Sequence, residues 1–391
     1  MILAGVAVLA FAEAFRDIIR RMKFNKSWLG WSLILAGLCP TVAVPAAAPK
    51  TQNVFLIISD GLRWQEVFNG AEELLLNKEN GGVHDTNAVR RDFWRDTPEA
   101  RRAALLPFFW TEIARHGQMF GNQGKGSVVS VTNGKKFSYP GYNEILTGSS
   151  DPRVDSNDKK PNPNVNVFEW LNHAAKLKDR VAIFGSWDVF PYIFNIERCH
   201  LPIWPGWEPR FARWEIAPPP YLTELRRDTT PMWEDLTWDS FLFHATRDYV
   251  KRSEPRLVFV GFGETDEWAH AGRYDHYLNA AHRMDGFVRR LWETVQSVSQ
   301  FRGKTTFILT ADHGRGSGPK AWKDHGEKVA GAEGDWIAII GPDTAALGER
   351  SQIEPVTESQ IAATIAALFG QDYHGAVPGS RVQIADAVLR Q

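Results

Sequence analysis

Along the chain, short apolar runs alternate with longer amphipathic stretches. From Asn53 onward the apolar runs rich in Val, Ile and Phe cover residues 54–58, 181–184, 257–260, 306–309 and 336–340. Continuous runs of this length and composition are typical of strands that are buried on both faces. Since predicted helices separate the strands, the sequence predicts an α/β fold with a large, mostly parallel central sheet flanked by helices on both faces.

Helical periodicity is clearest in two stretches. Residues 274–299 place apolar side chains at spacings of three and four, which predicts a long amphipathic helix. Thr357 and Gln360 have the spacing of a capping box, and the helix that they begin should end near Gly370. Residues 199–235 are rich in Pro and Trp and predict an insertion, which is either a lid or a structural loop packed on the sheet.

The N-terminal segment has the pattern of an export signal. A basic stretch precedes an apolar run at 28–39, and small residues follow at 43–48. The apolar run is too short for a stable membrane span. We therefore expect residues 1–48 to be an N-terminal extension with a signal peptide, translation to begin at Met1 or Met22, and residues 53–391 to form a single catalytic domain. The expected location is periplasmic or secreted.

Charge and cysteine content exclude several classes of function. The chain has 45 basic and 46 acidic residues, and a net charge of −1 gives no reason to expect nucleic acid as a partner. Removal of the signal would remove Cys39 and leave Cys199 alone, which excludes an intrachain disulfide and a thiolate metal cluster. The oligomeric state is left open.

Acidic and histidine side chains follow three of the predicted strands. Asp60 follows the first run, Asp266 and His270 follow the third, and Asp312 and His313 follow the fourth. Ligands of open α/β sheets bind beyond the carboxyl ends of the strands. These side chains, which are distant in sequence, are therefore expected to lie together at one edge of the sheet.

The same residue types predict a metal site. Asp266 and His270 are four residues apart and would share one face of a helical turn. His325 follows a glycine-rich loop and could complete the ligand set. Carboxylate and imidazole ligands without a thiolate suit Zn²⁺ or Mn²⁺, with Fe as a further alternative.

The candidate ligands also follow one another in a distinctive order: Asp60-Gly61, a hydroxyl residue, Asp266-x-x-x-His270, Asp312-His313-Gly314 and His325. This order resembles the alkaline phosphatase superfamily of phosphatases, nucleotide pyrophosphatase/phosphodiesterases, sulfatases and phosphoglycerate mutases. The resemblance implies an alkaline-phosphatase-like fold and two divalent metal ions, Zn or Mn. It implies two ligand sets: Asp266, His270 and His325 for one ion, and Asp60, Asp312 and His313 for the other.

The nucleophile implied by this resemblance is Ser138. Residues 137–144 resemble the phosphodiesterase motif in which a Thr precedes an aromatic residue and Pro, and Ser138 occupies the hydroxyl position. Metal coordination would activate the serine, which would form a phosphoserine intermediate. Ser127, Ser130 and Thr132 remain as alternatives.

The resemblance also implies a substrate ligand. Asn157 lies near the position at which phosphodiesterases place an Asn that binds a phosphoryl oxygen, and Asn162 and Asn164 are alternatives. The motif departs from the family after Pro140, where phosphodiesterases have Asn and His and this chain has Gly141 and Tyr142. This departure leaves the substrate class open.

Together these features predict an exported hydrolase that cleaves small-molecule phosphate monoesters or diesters. One alternative is a sulfatase or phosphonate-type hydrolase of the same superfamily. The segment from Ser138 to Tyr142 lacks the Arg of the sulfatase motif, which disfavours the sulfatase. The other alternative is a catalytically silent relative that binds a metal or a glycan, and the complete ligand set argues against it.

Overall fold

The computed structural model describes residues 49–174, 177–207 and 213–388. The predicted signal peptide in residues 1–48 lies outside the described residues. A search of the described helices for one long and apolar enough to cross a membrane finds none.

Eight strands form the central sheet, in the order β10-β2-β9-β7-β1-β6-β4-β5, and three more form a small sheet, in the order β11-β3-β8. The strands are β1 (Asn53–Ser59), β2 (Gln118–Phe120), β3 (Val129–Ser130), β4 (Val181–Gly185), β5 (Ile203–Pro205), β6 (Leu257–Phe262), β7 (Thr305–Thr310), β8 (Gly334–Asp335), β9 (Ile337–Ile340), β10 (Gly348–Glu349) and β11 (Val356–Thr357). In the central sheet β9 pairs antiparallel with β2 and β7, and the other pairs are parallel. The predicted mostly parallel sheet is confirmed.

Helices connect the strands throughout the described residues. They are α1 (Trp64–Asn69), α2 (Lys78–Gly81), α3 (Thr86–Phe93), α4 (Pro98–Leu105), α5 (Ala114–His116), α6 (Ser138–Thr147), α7 (Val167–Ala174), α8 (Phe190–Ile193), α9 (Ile196–Cys199), α10 (Pro220–Asp228), α11 (Asp239–Ser253), α12 (Glu264–His270), α13 (Tyr274–Ser297), α14 (Gly318–Ala321), α15 (Ile361–Leu368) and α16 (Tyr373–Ala376). A π-helical turn at Phe109–Ile113 and 3₁₀ turns at Glu73–Leu75, Gln123–Lys125 and Glu358–Gln360 complete the set.

The central sheet is buried on both faces, because its strands send alternate side chains into two cores. In β1, Phe55 and Ile57 join one core, whereas Leu56 and Ile58 join the other. Helices α11 and α13 contribute to the first core, and α6, α7 and α15 contribute to the second. This double burial explains why the strands read as continuous apolar runs, and it confirms helices on both faces.

The predicted helices are found with small differences at their ends. Helix α13 ends two residues before the predicted boundary at residue 299. The capping box of Thr357 and Gln360 is present, and it begins the 3₁₀ turn that leads into α15. The apolar run at 336–340 starts as a strand only at Ile337, and the indole of Trp336 donates a hydrogen bond to the carbonyl of Leu62 at 2.8 Å.

The insertion at residues 199–235 contributes to the sheet as well as to the surface. It contains β5, an edge strand paired with β4, and the helix α10, while residues 208–212 lie outside the described part. Cys199 is buried without a disulfide, and burial raises the pKa of its thiol to about 12. Asp235, at the end of the insertion, lines the cavity described below.

The carboxyl ends of β6, β1 and β7 meet at one edge of the sheet. These strands are neighbours, and the register pairs Ser59 with Phe262 and Ile58 with Thr310. The chain leaves β1 at Asp60, enters α12 soon after β6, and leaves β7 toward Asp312. The predicted convergence of these segments is therefore observed.

Candidate metal centre and active site

Two aspartates at the strand ends use one carboxylate oxygen each to hold the fold. The Tyr142 hydroxyl donates a hydrogen bond to Asp60 Oδ2 at 3.0 Å, and the Gly61 backbone N–H donates one to Asp312 Oδ1 at 3.1 Å. In the described part of the chain, the other oxygens, Asp60 Oδ1 and Asp312 Oδ2, are buried and have no hydrogen-bond partner. Buried carboxylate oxygens without a partner are costly, so this pair fits a bound cation.

Two histidine rings are oriented so that Nδ1 is hydrogen-bonded and Nε2 is available to bind a metal ion. His313 Nδ1 lies 3.0 Å from the carbonyl of Gly314, and His325 Nδ1 lies 3.3 Å from the carbonyl of Lys136. A carbonyl can only accept, so each Nδ1 carries the proton and donates it. The lone pair of a neutral ring is then on Nε2, as in a histidine that binds metal through Nε2.

Asp60, Asp312 and His313 form the first group of ligand atoms. His313 Nε2 lies 3.4 Å from Asp60 Oδ1 and 3.6 Å from Asp312 Oδ2, the two oxygens without a hydrogen bond. One ligand atom from each residue fits within 4.8 Å of the others. The group has the composition expected from the sequence.

Asp266, His270 and His325 form the second group. Helix α12 places Asp266 and His270 on one face, with His270 Nε2 3.2 Å from Asp266 Oδ2. His270 Nε2 also lies 2.8 Å from His325 Nε2. Ligand atoms of Asp266 and His325 fit within 4.8 Å of each other and of His313, so His313 lies between the two groups.

The donor set of both groups fits divalent metal ions. The ligands are carboxylate oxygens and imidazole nitrogens, which suit Zn²⁺ and Mn²⁺. The Nε2 atoms of His270 and His325 face each other, and Asp60 and Asp312 each have one carboxylate oxygen without a hydrogen bond among the described residues. Both features would be relieved by cations between the side chains.

The pKa values of the histidines in the metal-free site also fit metal binding. Burial, with His313 and Arg315 nearby, holds the pKa of His325 well below its usual range, and burial also lowers the pKa of His270. Burial alone would lower the pKa of His313, but Asp312 and Asp60 outweigh it and raise the pKa to about 9. Metal binding must release the His313 proton, so metal affinity is expected to rise with pH.

Ser138 lies beside the first group of ligands. It is the first residue of α6, it is buried, and its Oγ lies 3.5 Å from His313 Nε2. Asn157 Oδ1 accepts a hydrogen bond from the Tyr139 backbone N–H at 3.0 Å, which ties the Asn157 side chain to the start of α6. The Asn157 amide nitrogen thereby remains for a ligand.

A cavity of about 200 Å³ connects these residues. Its lining includes six of the eight residues predicted from the sequence: Asp60, Ser138, Asn157, Asp266, His270 and His325. The other two, Asp312 and His313, are fully buried behind them. The site residues therefore converge as predicted, and their roles stay predictions.

The alternative residues lie elsewhere. Ser127 is buried and accepts a hydrogen bond from the Gly121 N–H, while Thr132 donates to Glu144. Asn162 donates to Asn143 within the core. These side chains have structural partners and do not line the cavity.

A known protein family matches most of the chain. The sequence profile described as type I phosphodiesterase / nucleotide pyrophosphatase matches residues 77–374, more than half of the chain. The chain belongs to this phosphodiesterase family. Membership places it among hydrolases of phosphoesters and related esters. The match includes every predicted site residue except Asp60.

Solved structures support the fold of this family member. The wild-type alkaline phosphatase PafA is 10% identical with a TM-score of 0.55, and the alignment covers 88% of this chain and 99% of PafA. The phosphonate monoester hydrolase SpPMH from Silicibacter pomeroyi is 14% identical with a TM-score of 0.50, covering 85% of this chain and 76% of SpPMH. These similarities show an alkaline-phosphatase-like fold. No curated protein sequence matches the chain.

Three side chains at the candidate site were not identified from the sequence. Tyr142 holds Asp60, and the fully buried Arg315 contacts Asp266 and donates to the carbonyl of Gly61 at 3.2 Å. Glu144 accepts hydrogen bonds from the backbone N–H groups of Thr132 and its neighbour, and so fixes the loop before Ser138. The sequence signal for Arg315 was its position as a basic residue between Gly314 and Gly316, directly after His313.

Replacing Tyr142 by phenylalanine is expected to weaken metal binding about 10- to 100-fold, because Asp60 Oδ2 loses its donor and the ligand is no longer oriented. Competition with a chromophoric chelator would measure the affinity. Tyr139→Phe is the matched control, since it removes a hydroxyl from the same helix whose partners are the carbonyls of Lys160 and Tyr192. Equal affinities for both variants would contradict the positioning role of Tyr142.

Replacing Asp335 by asparagine is expected to stabilise the metal-free protein at pH 8 by about 1–3 kcal/mol. Asp335 Oδ1 accepts the Trp336 N–H at 2.7 Å, Oδ2 has no partner among the described residues, and burial raises the pKa of the carboxyl to about 7. A raised pKa means that native-state stability is lost as pH rises through about 7. Urea unfolding should show little difference at pH 5, and a variant that is less stable at pH 8 would contradict this account.

Proposed function

We propose that this phosphodiesterase-family member is an exported, two-metal hydrolase of phosphate monoesters or diesters that uses Ser138 as its nucleophile. The observation that carries the proposal is the position of Ser138, which opens onto the same cavity as Asp60, Asp266, His270 and His325. The signal pattern in residues 1–48 supports a periplasmic or secreted location.

In this proposal Asp60, Asp312 and His313 hold one metal ion. Asp266, His270 and His325 hold the other, with Zn²⁺ or Mn²⁺ as the ion. When bound, the ions supply positive charge that favours ionised serine and offsets the charge on the phosphoryl oxygens.

Ser138 carries the bond changes. The Ser138 hydroxyl gives its proton to solvent, Oγ attacks phosphorus, a bond from Oγ to phosphorus forms, and the bond from phosphorus to the departing alcohol oxygen breaks. That oxygen takes a proton from solvent. Water then attacks phosphorus and gives one proton to solvent, the bond from phosphorus to Ser138 Oγ breaks, and Oγ takes a proton from solvent, which restores the serine. Since each transfer inverts phosphorus, the overall configuration is retained.

Asn157 orients the substrate. Its Oδ1 is occupied by the Tyr139 N–H at 3.0 Å, so its amide nitrogen is the group that can donate to a phosphoryl oxygen. An anchored donor of this kind stabilises charge on that oxygen without having to reorganise during the reaction.

The test is turnover of matched esters by the purified, metal-loaded protein. We would compare 4-nitrophenyl phosphate, bis(4-nitrophenyl) phosphate and 4-nitrophenyl sulfate at equal concentration. The proposal expects at least one phosphate ester to react much faster than the sulfate. The relative rates of the two phosphate esters would show whether the protein prefers a monoester or a diester. Turnover of the sulfate alone would overturn the proposal in favour of a sulfatase. A protein that binds no metal and cleaves no ester would instead indicate a silent binding relative.

A further inference from the structure

The cavity that contains the predicted site residues also carries further acidic groups in its wall. Besides the predicted site residues, the lining consists of Trp187, Asp235, Leu236, Gly263 and Glu267. Its charged members are Asp235 and Glu267, and the residues that line the cavity include no Lys or Arg. We propose that the substrate is a phosphate ester of a small alcohol that carries a positive charge, an amino alcohol or a quaternary ammonium alcohol. This inference rests on the proposed function.

The acidic wall is held in place by backbone pairing. The Asp188 N–H donates to the Asp235 carbonyl at 2.9 Å, and the Thr237 N–H donates to the Ser186 carbonyl at 2.9 Å. The Trp187 indole N–H donates to Asp235 Oδ2 at 3.1 Å. The carboxylate and the indole therefore form one fixed unit on the wall.

This unit has the chemistry of a cation site. A cation is attracted to the face of an indole ring, and the attraction to Trp187 would add to that of the Asp235 carboxylate. Glu267 follows the metal ligand Asp266 on α12 and adds a second acidic side chain to the same lining. A substrate with a positive alcohol would match this wall, with its phosphate toward Ser138.

Three nearby basic side chains are paired with acidic groups. Lys159 forms an ion pair with Asp188, and Arg315 forms one with Asp266. Lys136 pairs with Glu333 at 3.2 Å. A leaving group with additional phosphates would therefore meet carboxylates rather than free cations.

The size of the cavity argues for a small alcohol. Pockets for drug-sized ligands occupy roughly 300–1,000 Å³, whereas this cavity measures about 200 Å³. A nucleoside with further phosphates would meet both a small space and a negative wall. The inference therefore separates this chain from a nucleotide pyrophosphatase within its own family.

The test uses two esters that differ in one atom. Choline phosphate has a quaternary nitrogen where 3,3-dimethylbutyl phosphate has a neutral carbon, and their 4-nitrophenyl diesters form a second pair. The metal-loaded full chain is expected to prefer the choline member of the reactive pair by about tenfold in kcat/KM. Because Asp235 is exposed, the preference should shrink as salt increases.

Asp235→Asn is expected to reduce this preference to about threefold or less. Glu234→Gln is the matched control, since it removes the same charge from the neighbouring exposed residue, which does not line the cavity. Its preference should equal that of the wild type. Competitive inhibition by choline, but not by 3,3-dimethylbutanol, gives a second readout.

Three results would overturn the inference. Equal kcat/KM for the charged and neutral esters, in a protein that hydrolyses aryl phosphates, would remove the cation site and leave the proposed function standing. Failure to hydrolyse any phosphate ester would remove the proposed function and this inference with it. An unchanged preference in Asp235→Asn would also contradict the assignment of the site to this wall.

Discussion

The Ser138→Ala variant should lose at least about a thousandfold in kcat for phosphate esters, because removal of a nucleophile removes the covalent route. The Ser138 hydroxyl lines the cavity and lies 3.5 Å from His313 Nε2. Loss of this hydroxyl leaves no strong hydrogen bond broken in the fold. Metal content and thermal unfolding should therefore stay close to those of the wild type.

Ser130→Ala is the matched control for this prediction. Ser130 lies in β3, is half-buried, and does not line the cavity, so the variant should keep wild-type turnover. Mass spectrometry of the wild type quenched during turnover should find phosphate on the peptide that contains Ser138. A Ser138→Ala variant with undiminished turnover would show that the nucleophile was wrongly chosen, and loss of turnover in Ser130→Ala would indicate the alternative.

The convergence of the ligands could be predicted because it depends on local patterns. Buried parallel strands read as apolar runs, and their carboxyl ends meet at one edge whatever the length of the connections. Asp60 and Asp312 follow directly from this rule. Asp266 and His270 follow from helical spacing, and α12 places them on one face.

The supporting contacts could not be predicted because they depend on pairs far apart in sequence. Tyr142 reaches Asp60 across 82 residues, and Arg315 reaches Asp266 across 49. Tyr142 was noted only as a departure from the phosphodiesterase motif, at a position where the aromatic ring also packs edge-on against Phe190. No spacing rule tells which buried hydroxyl orients which carboxylate.

The cavity wall shows the same limit of sequence reasoning. Asp235 stood at the end of a Pro- and Trp-rich insertion, where an exposed acidic residue has no distinguishing pattern. Its place beside Trp187 results from backbone pairing between segments separated by about 50 residues, with an isolated bridge between Trp187 and Leu236. Substrate preference therefore depends on contacts of the folded chain that the motif does not contain.

Removal of metal from the wild type should abolish turnover and lower the free energy of unfolding by about 4 kcal/mol, the value for a ligand supplied at about a thousand times its Kd. Asp312→Asn is expected to lose the part of this metal response that comes from the ion held by Asp60, Asp312 and His313. The asparagine oxygen can still accept the Gly61 N–H, but an amide nitrogen replaces the unpaired Oδ2 and cannot bind a cation. Calorimetry of the wild type and of Asp312→Asn, each with and without chelator, would measure how much metal stabilises each protein.

The metal-free proteins should show the opposite order of stability, which separates a ligand from a merely structural carboxylate. Burial, together with Asp60, raises the pKa of Asp312 well above its usual range, so the metal-free wild type loses stability as pH rises through that pKa. Asp312→Asn removes this charge and should be the more stable protein without metal, but the less stable with it. Asp335→Asn, which removes a buried carboxylate outside both ligand groups, should gain metal-free stability and keep the metal response. A metal response as large as that of the wild type in Asp312→Asn would contradict the assignment of this side chain as a ligand.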